Sequence, residues 1–150
     1  MSNPALAMFQ AAIGQSFKDS PSPVGRFFAG TLLEAEEGRL LMEVTVGEHM
    51  TNPAQVLHGG AAAMLLDELI GAAVFTLGRP TLFTSVNLSV DFLSAAFIGD
   101  DLVAEAKPTR QGKTVVNMEG WVKKKEDGKL VAHATSNMLD TGRPHPMMQG

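Results

Sequence analysis

Residues 58–75, HGGAAAMLLDELIGAAVF, constrain this chain more than any other stretch. Read as a helix, the segment is apolar on nearly every face. A helix that is apolar all round is a buried one. Yet a carboxylate, Asp67, stands in its middle. Burying a carboxylate costs free energy unless it is paired, hydrogen-bonded or put to use. Gly59 and Gly60 open the run. Without a Cβ the backbone can approach a ligand closely, and a helix N-terminus favours negative charge. An acid inside an apolar helix and an anion-stabilising terminus are the two halves of a hydrolytic site.

At 150 residues and 45% hydrophobic, the chain is long and apolar enough for one domain with a real core. A net charge of −4 argues against nucleic acid as a partner, because phosphate binding needs clustered Lys and Arg. The absence of cysteine excludes disulfides, thiolate metal sites and a cysteine nucleophile. His49, His58, His133 and His145 are scattered without metal-ligand spacing, so no metal and no cofactor is expected. No basic region followed by a signal-length apolar run opens the chain, and a cytoplasmic location is expected. Residues 59–77 approach bilayer-spanning length, but Asp67 and Glu68 at their centre argue against a membrane span.

Along the chain, helical spacing over 4–17 predicts a short N-terminal helix, closed by the breaker cluster DSPSP at 19–23. Residues 26–33 and 39–46 read as strands around a turn at 36–38, and 47–57 as a loop. The long helix meets a glycine-then-proline stop at 78–80. Four more strands follow at 81–92, 101–109, 114–125 and 129–139. The predicted organisation is an N-terminal helix and linker over 1–20, one domain over 21–140 and a loose polar tail over 141–150. Strands joined by short turns make an antiparallel sheet. A helix apolar on nearly all sides must be wrapped. The expected fold class is therefore α+β: one long central helix wrapped by a curved antiparallel sheet of about six strands.

Asp67 lies eight residues after Gly59, which is roughly 12 Å along a helix axis. A carboxylate side chain does not span that gap, so Asp67 does not serve the Gly59 amide of its own helix. A second copy, antiparallel across a two-fold axis, brings one subunit's Asp67 to the other's Gly59. The spacing favours a homodimer with two shared sites. Taken singly, each residue has a structural alternative: His58 bonding a carbonyl, Asn52 an ordinary turn residue, Ser85 bonding a neighbouring strand, Asp67 a paired structural acid. Glu68 points about 100° away from Asp67, toward solvent or a subunit seam.

The motifs VLHGG (56–60), LDE (66–68) and TSVNLSVDFL (84–93), with GD (99–100), RQGKT (110–114) and DGKLVA (127–132), resemble the hotdog-fold acyl-CoA thioesterases of the phenylacetate-degradation (PaaI-like) group. The resemblance covers roughly residues 52–139. An Asn six residues before the His and a Ser eighteen after the Asp make the pattern specific. Where the family has Arg-Pro after the DFL strand, this chain has Ser94 and Ala95. The resemblance implies a hotdog fold, dimers that pair into tetramers, and hydrolysis of an acyl- or aryl-CoA thioester to free acid and CoA. It also implies roles. Gly59 donates its N–H to the thioester oxygen. Asp67 is the base or the nucleophile. Asn52 and Ser85 position the thioester or the water, and His58 orients the loop and acyl group. Gly60 belongs to the substrate-binding set, and the turn of Gln111, Gly112, Lys113 and Thr114 contacts the CoA arm.

The chemistry agrees. Thioester hydrolysis builds an oxyanion, and a backbone N–H at a helix N-terminus is a good donor to it. The attacking water needs a base; alternatively Asp67 attacks directly and forms a mixed anhydride that water cleaves. Two other readings stand beside this one: a hotdog dehydratase of hydroxyacyl thioesters, and a non-catalytic acyl-CoA-binding module. A dehydratase of that kind pairs a catalytic His with a helix acid, whereas the only nearby His in this chain opens the HGG.

Overall fold

The computed structural model describes residues 2–148; Met1, Gln149 and Gly150 lie outside the described residues. The first helix, α1 (Pro4–Ala11), starts where Asn3 accepts the Leu6 N–H at 3.0 Å and a proline fills the first turn. It ends earlier than residue 17, short of Gly14, whose φ is +84°. A second helix, α2 (Pro23–Phe28), stands where the sequence reading had a breaker and the start of a strand. The Ser22–Pro23 pair explains the difference. Ser22 Oγ accepts the Gly25 N–H at 3.3 Å, and proline suits the first helical position. Ala29 then takes a left-handed φ of 47°, and the chain turns into a strand only at Thr31.

Six strands form one antiparallel sheet: β1 (Thr31–Glu36), β2 (Arg39–Thr45), β3 (Thr81–Phe92), β4 (Asp101–Gln111), β5 (Val115–Lys124) and β6 (Leu130–Pro144), in the order β1-β2-β4-β5-β6-β3. The strand β6 runs past the expected start of the loose tail. Thr81 pairs with Pro144, and the Thr141 hydroxyl donates to the Leu82 carbonyl at 2.7 Å. Residues 141–144 therefore belong to the sheet, and a 3-10 turn follows at Pro146–Met148.

The long helix α3 (Gly59–Phe75) lies across β2 to β6 and buries Leu65, Leu66, Leu69, Ile70 and Ala73 against them. A Cβ at Gly120, on β5, would stand 3.0 Å from Leu66 and 3.4 Å from Ile70, so a bare backbone lets the helix settle on the sheet. The C-terminus of α3 is tied down by Thr76, which is fully buried. Its hydroxyl donates to the Ala73 carbonyl at 2.6 Å and accepts the Gly38 N–H from the β1–β2 turn at 2.7 Å.

The wrapping is one-sided. The sheet covers one flank of α3, and α2 packs on part of the other. A stripe through Met64, Asp67, Gly71 and Phe75 stays partly or fully open. Asp67 is therefore exposed within the single chain, contrary to the expectation of a buried acid. The edge strand β3 is open too: it pairs with β6 on one side only, and Val86, Phe92 and Leu93 are 64%, 58% and 55% exposed.

Thr76→Val keeps the shape of the side chain but leaves the Gly38 N–H buried without an acceptor. The expected loss is about 1–3 kcal/mol, read as a lowered urea midpoint at unchanged slope. An unchanged midpoint would show that this tie is idle.

Candidate active site

The N-terminus of α3 is built by a chain of local bonds. Asn52 Oδ1 accepts the Ala54 and Val56 N–H groups at 2.9 and 3.2 Å, folding 52–57 into a tight loop. The Leu57 and His58 N–H groups then donate to Ala96 and Met50. His58 is the N-cap: its Nδ1 accepts the Gly60 N–H at 2.8 Å. A Cβ at Gly60 would sit 3.0 Å from that nitrogen, so the glycine gives the cap its room. The ring is exposed, with Nε2 free to face a ligand. Among the described residues the Gly59 N–H has no acceptor, as the first turn of a helix requires. Gly59 faces the ring of Phe92, 3.3 Å from where its Cβ would be.

Two turns further along α3, Asp67 and Ser85 line one cleft of about 700 Å³, together with Thr84 of β3 and Glu68. Asp67 has no ion-pair or hydrogen-bond partner among the described residues, so its carboxylate is free to act. Ser85 stands beside an irregularity in the β3–β6 register, where Val86 bulges outward and both Thr84 and Ser85 are exposed. Glu68 does not simply face solvent. It is half-buried, and the Ser22 hydroxyl donates to its Oε1 at 2.5 Å, fastening α2 to α3. His58 and Gly59 do not line this cleft.

The third group, Gln111 to Thr114, forms the β4–β5 turn near the other end of α3. A Cβ at Gly112 would stand 2.5 Å from the Val115 carbonyl oxygen. Arg79 donates to the Gly112 and Lys113 carbonyls at 2.7 and 3.1 Å, and its guanidinium lies over the Phe83 ring. Lys113 and Thr114 are exposed.

One chain therefore places Asp67 and Ser85 in one cleft and holds Asn52, His58, Gly59 and Gly60 in one loop and helix start. It keeps the two groups apart, as the helix spacing requires. The sequence reading missed Ser22, Thr84 and the walls that both chain ends give to the cleft: Met8 and Phe9 from α1, His145 and Met147 from the last turn. The Ser-Pro cap at 22–23 is a signal that could have revealed α2; nothing local marks the C-terminal residues as a wall. Burial lowers the pKa of His145, which favours its neutral ring against Phe75, with centroids 4.5 Å apart.

Removing the cap tests the local construction. His58→Ala should destabilise the protein by about 0.5–2 kcal/mol, seen as a lower melting temperature. A melting temperature equal to the parent's would mean that the Gly60 bond contributes nothing.

Residues 54–131 match the family model described as the thioesterase superfamily. Acyl-coenzyme A thioesterase 13 of Homo sapiens is 34% identical over 102 residues, covering 68% of this chain and 73% of that protein. The structure of the PaaI protein from the phenylacetic acid degradation operon of E. coli superimposes with a TM-score of 0.80 at 21% identity, over 95% of this chain and 97% of that one, a likeness of fold. A hypothetical thioesterase of Streptococcus pneumoniae TIGR4, solved with coenzyme A, gives a TM-score of 0.71 at 25% identity, over 77% and 91%.

Proposed function

The chain belongs to the thioesterase superfamily, with the hotdog fold of its PaaI-like members, and from that premise we propose that it hydrolyses an acyl-CoA thioester to free acid and CoA at two equivalent sites shared across a homodimer. The observation that carries the reading is the division of the candidate groups along α3. A free N–H waits at its N-terminus and an unpartnered carboxylate lies about 12 Å away on its open stripe. Each group is half a site. A second copy laid antiparallel along the open flank completes both halves at once. The open β3 edge, with Val86, Phe92 and Leu93 exposed, supports pairing with a copy of itself.

In this arrangement the thioester carbonyl oxygen accepts the Gly59 N–H of one subunit, where the helix dipole also favours the developing negative charge. Asp67 of the other subunit, with Ser85 beside it, faces the carbonyl carbon. In one route the carboxylate takes a proton from water, the water oxygen bonds to carbon, and the C–S bond breaks with CoA leaving as thiolate. In the other the carboxylate attacks, CoA leaves, and water cleaves the resulting anhydride. Label found in Asp67 after single turnover in ¹⁸O-water, entering when water attacks the aspartyl carbonyl carbon of the anhydride, identifies the second route. His58 keeps Gly59 in place through its cap and offers Nε2–H to the acyl or thioester group. With its Oδ1 committed to the loop, Asn52 acts through loop shape and its free amide N–H groups. The Gln111–Thr114 turn receives the CoA arm, with Lys113 available to a phosphate.

The likeness to a CoA-bound thioesterase and to acyl-coenzyme A thioesterase 13 supports CoA esters as the substrate class. The reading extends to pairing of dimers into a homotetramer, and to action in the cytoplasm. Among the described residues no helix is long and apolar enough to cross a membrane.

The test is thiol release from phenylacetyl-, hydroxybenzoyl-, butyryl-, octanoyl- and palmitoyl-CoA by wild type and Asp67→Asn. Turnover of at least one ester, falling about 10²–10⁴-fold in the variant with little change in ester affinity, is expected. Turnover that survives the substitution would remove Asp67 from the chemistry.

A further inference from the structure

Gly71 stands in the middle of α3, where glycine weakens a helix relative to almost any other residue. At Gly120 the neighbours explain the glycine. At Gly71 they do not: a Cβ built there meets nothing within 4 Å. The space before it is part of the cleft that holds Asp67 and Ser85. That cleft follows the helix, lined in turn by Asp67, Glu68, Gly71, Ala72 and Phe75. Its polar lining includes Thr84, Ser85 and Ser22, whose hydroxyl donates to Glu68, the neighbour of Asp67 in sequence. At the other end the walls close on apolar groups. Phe9 meets Phe75 edge-on with centroids 6.2 Å apart, the His145 ring stands 4.5 Å from the Phe75 ring, and Met8 and Met147 also line the cleft. Methionine side chains adapt to a flexible apolar guest.

We propose that this cleft is the acyl channel of the enzyme, with Gly71 as its floor and Phe75, His145, Met8 and Met147 as its end, and that it takes an unbranched acyl chain of about ten carbons. The inference rests on the thioesterase reading and adds the acyl class to it. Its length comes from the helix. Asp67 to Phe75 is eight residues, ~12 Å, and an extended chain advances ~1.2 Å per bond, as extended backbone does. An unsubstituted chain fits better than one ending in a carboxylate, because Asp19, Asp67 and Glu68 line the cleft and, among the described residues, no Lys or Arg does. Part of the wall, from residues 8–28 and 138–147, lies outside the segment that matches the family model.

The experiment measures kcat/KM of the purified protein for butyryl- through palmitoyl-CoA and for phenylacetyl-CoA, with light scattering for assembly. It compares wild type with Gly71→Leu and His145→Ala. The leucine enters open space and replaces a helical glycine, so the fold is kept. Wild type should be fastest near decanoyl-CoA. In Gly71→Leu the decanoyl-to-butyryl ratio should fall at least about tenfold, since several methylenes lose their apolar wall, with the assembly unchanged. His145→Ala should move the optimum to longer chains. A Gly71→Leu profile parallel to wild type, or a wild type fastest on phenylacetyl- or palmitoyl-CoA, overturns the channel while leaving a thioesterase. Equal loss at every length with dissociated subunits overturns it by giving the space at Gly71 to a partner helix. No thiol release from any ester by wild type would instead sink the thioesterase reading itself.

Discussion

Everything in this molecule follows from a helix that is apolar on all sides lying on a sheet that reaches only one of them. The flank of α3 that carries Leu65, Leu66, Leu69, Ile70 and Ala73 is satisfied by the sheet. The opposite flank keeps an apolar stripe interrupted by Asp67. The N-terminal segment covers part of it and leaves a cleft. The rest is a surface that water covers at a cost in free energy and that a substrate or a second subunit covers at a gain. In the function proposed here, the site and the reason for association are the same piece of unfinished packing.

Helix geometry then dictates the chemistry. The end of a helix is where unpaired N–H groups gather, and a carboxylate placed at that same end would compete with the oxyanion for them. Two turns of separation keep Asp67 from capping its own helix; that task falls to His58, whose Nδ1 accepts the Gly60 N–H and leaves the Gly59 N–H free. The glycines of the motif have separable reasons. Gly60 makes room for the capping ring, and Gly59 keeps the approach to its own N–H clear beside Phe92.

Much of the fold was legible because its signals are local or periodic. Short polar turns at 36–38 and 126–128 mark antiparallel neighbours, and the apolar run of α3 announces a central helix. The spacing of Gly59 and Asp67 along one helix was the sequence signal behind the shared-site proposal. What escaped the reading depends on longer-range partners. The helix α2 hid because Ser22 and Pro23 both end one element and begin another. The last residues of β6 hid because their order comes from Leu82 and Thr81 across the sheet rather than from their own sequence. The exposure of Asp67 was missed because an all-apolar helix reads as wholly buried, whereas its cover is divided between this chain and whatever lies against it.

The central claim is that each site combines Asp67 of one subunit with Gly59 of the other, and mixed dimers test it most directly. Gly59→Pro removes the N–H while respecting the helix, since proline is accepted at the first position and His58 already has extended dihedrals. A heterodimer of one Gly59→Pro and one Asp67→Asn subunit, isolated by two tags, would hold one doubly defective site and one intact site. The account predicts about half the wild-type turnover from it, against near-zero from either parent homodimer. A heterodimer as inactive as both parents would show that the two residues act within one subunit, contradicting the shared site.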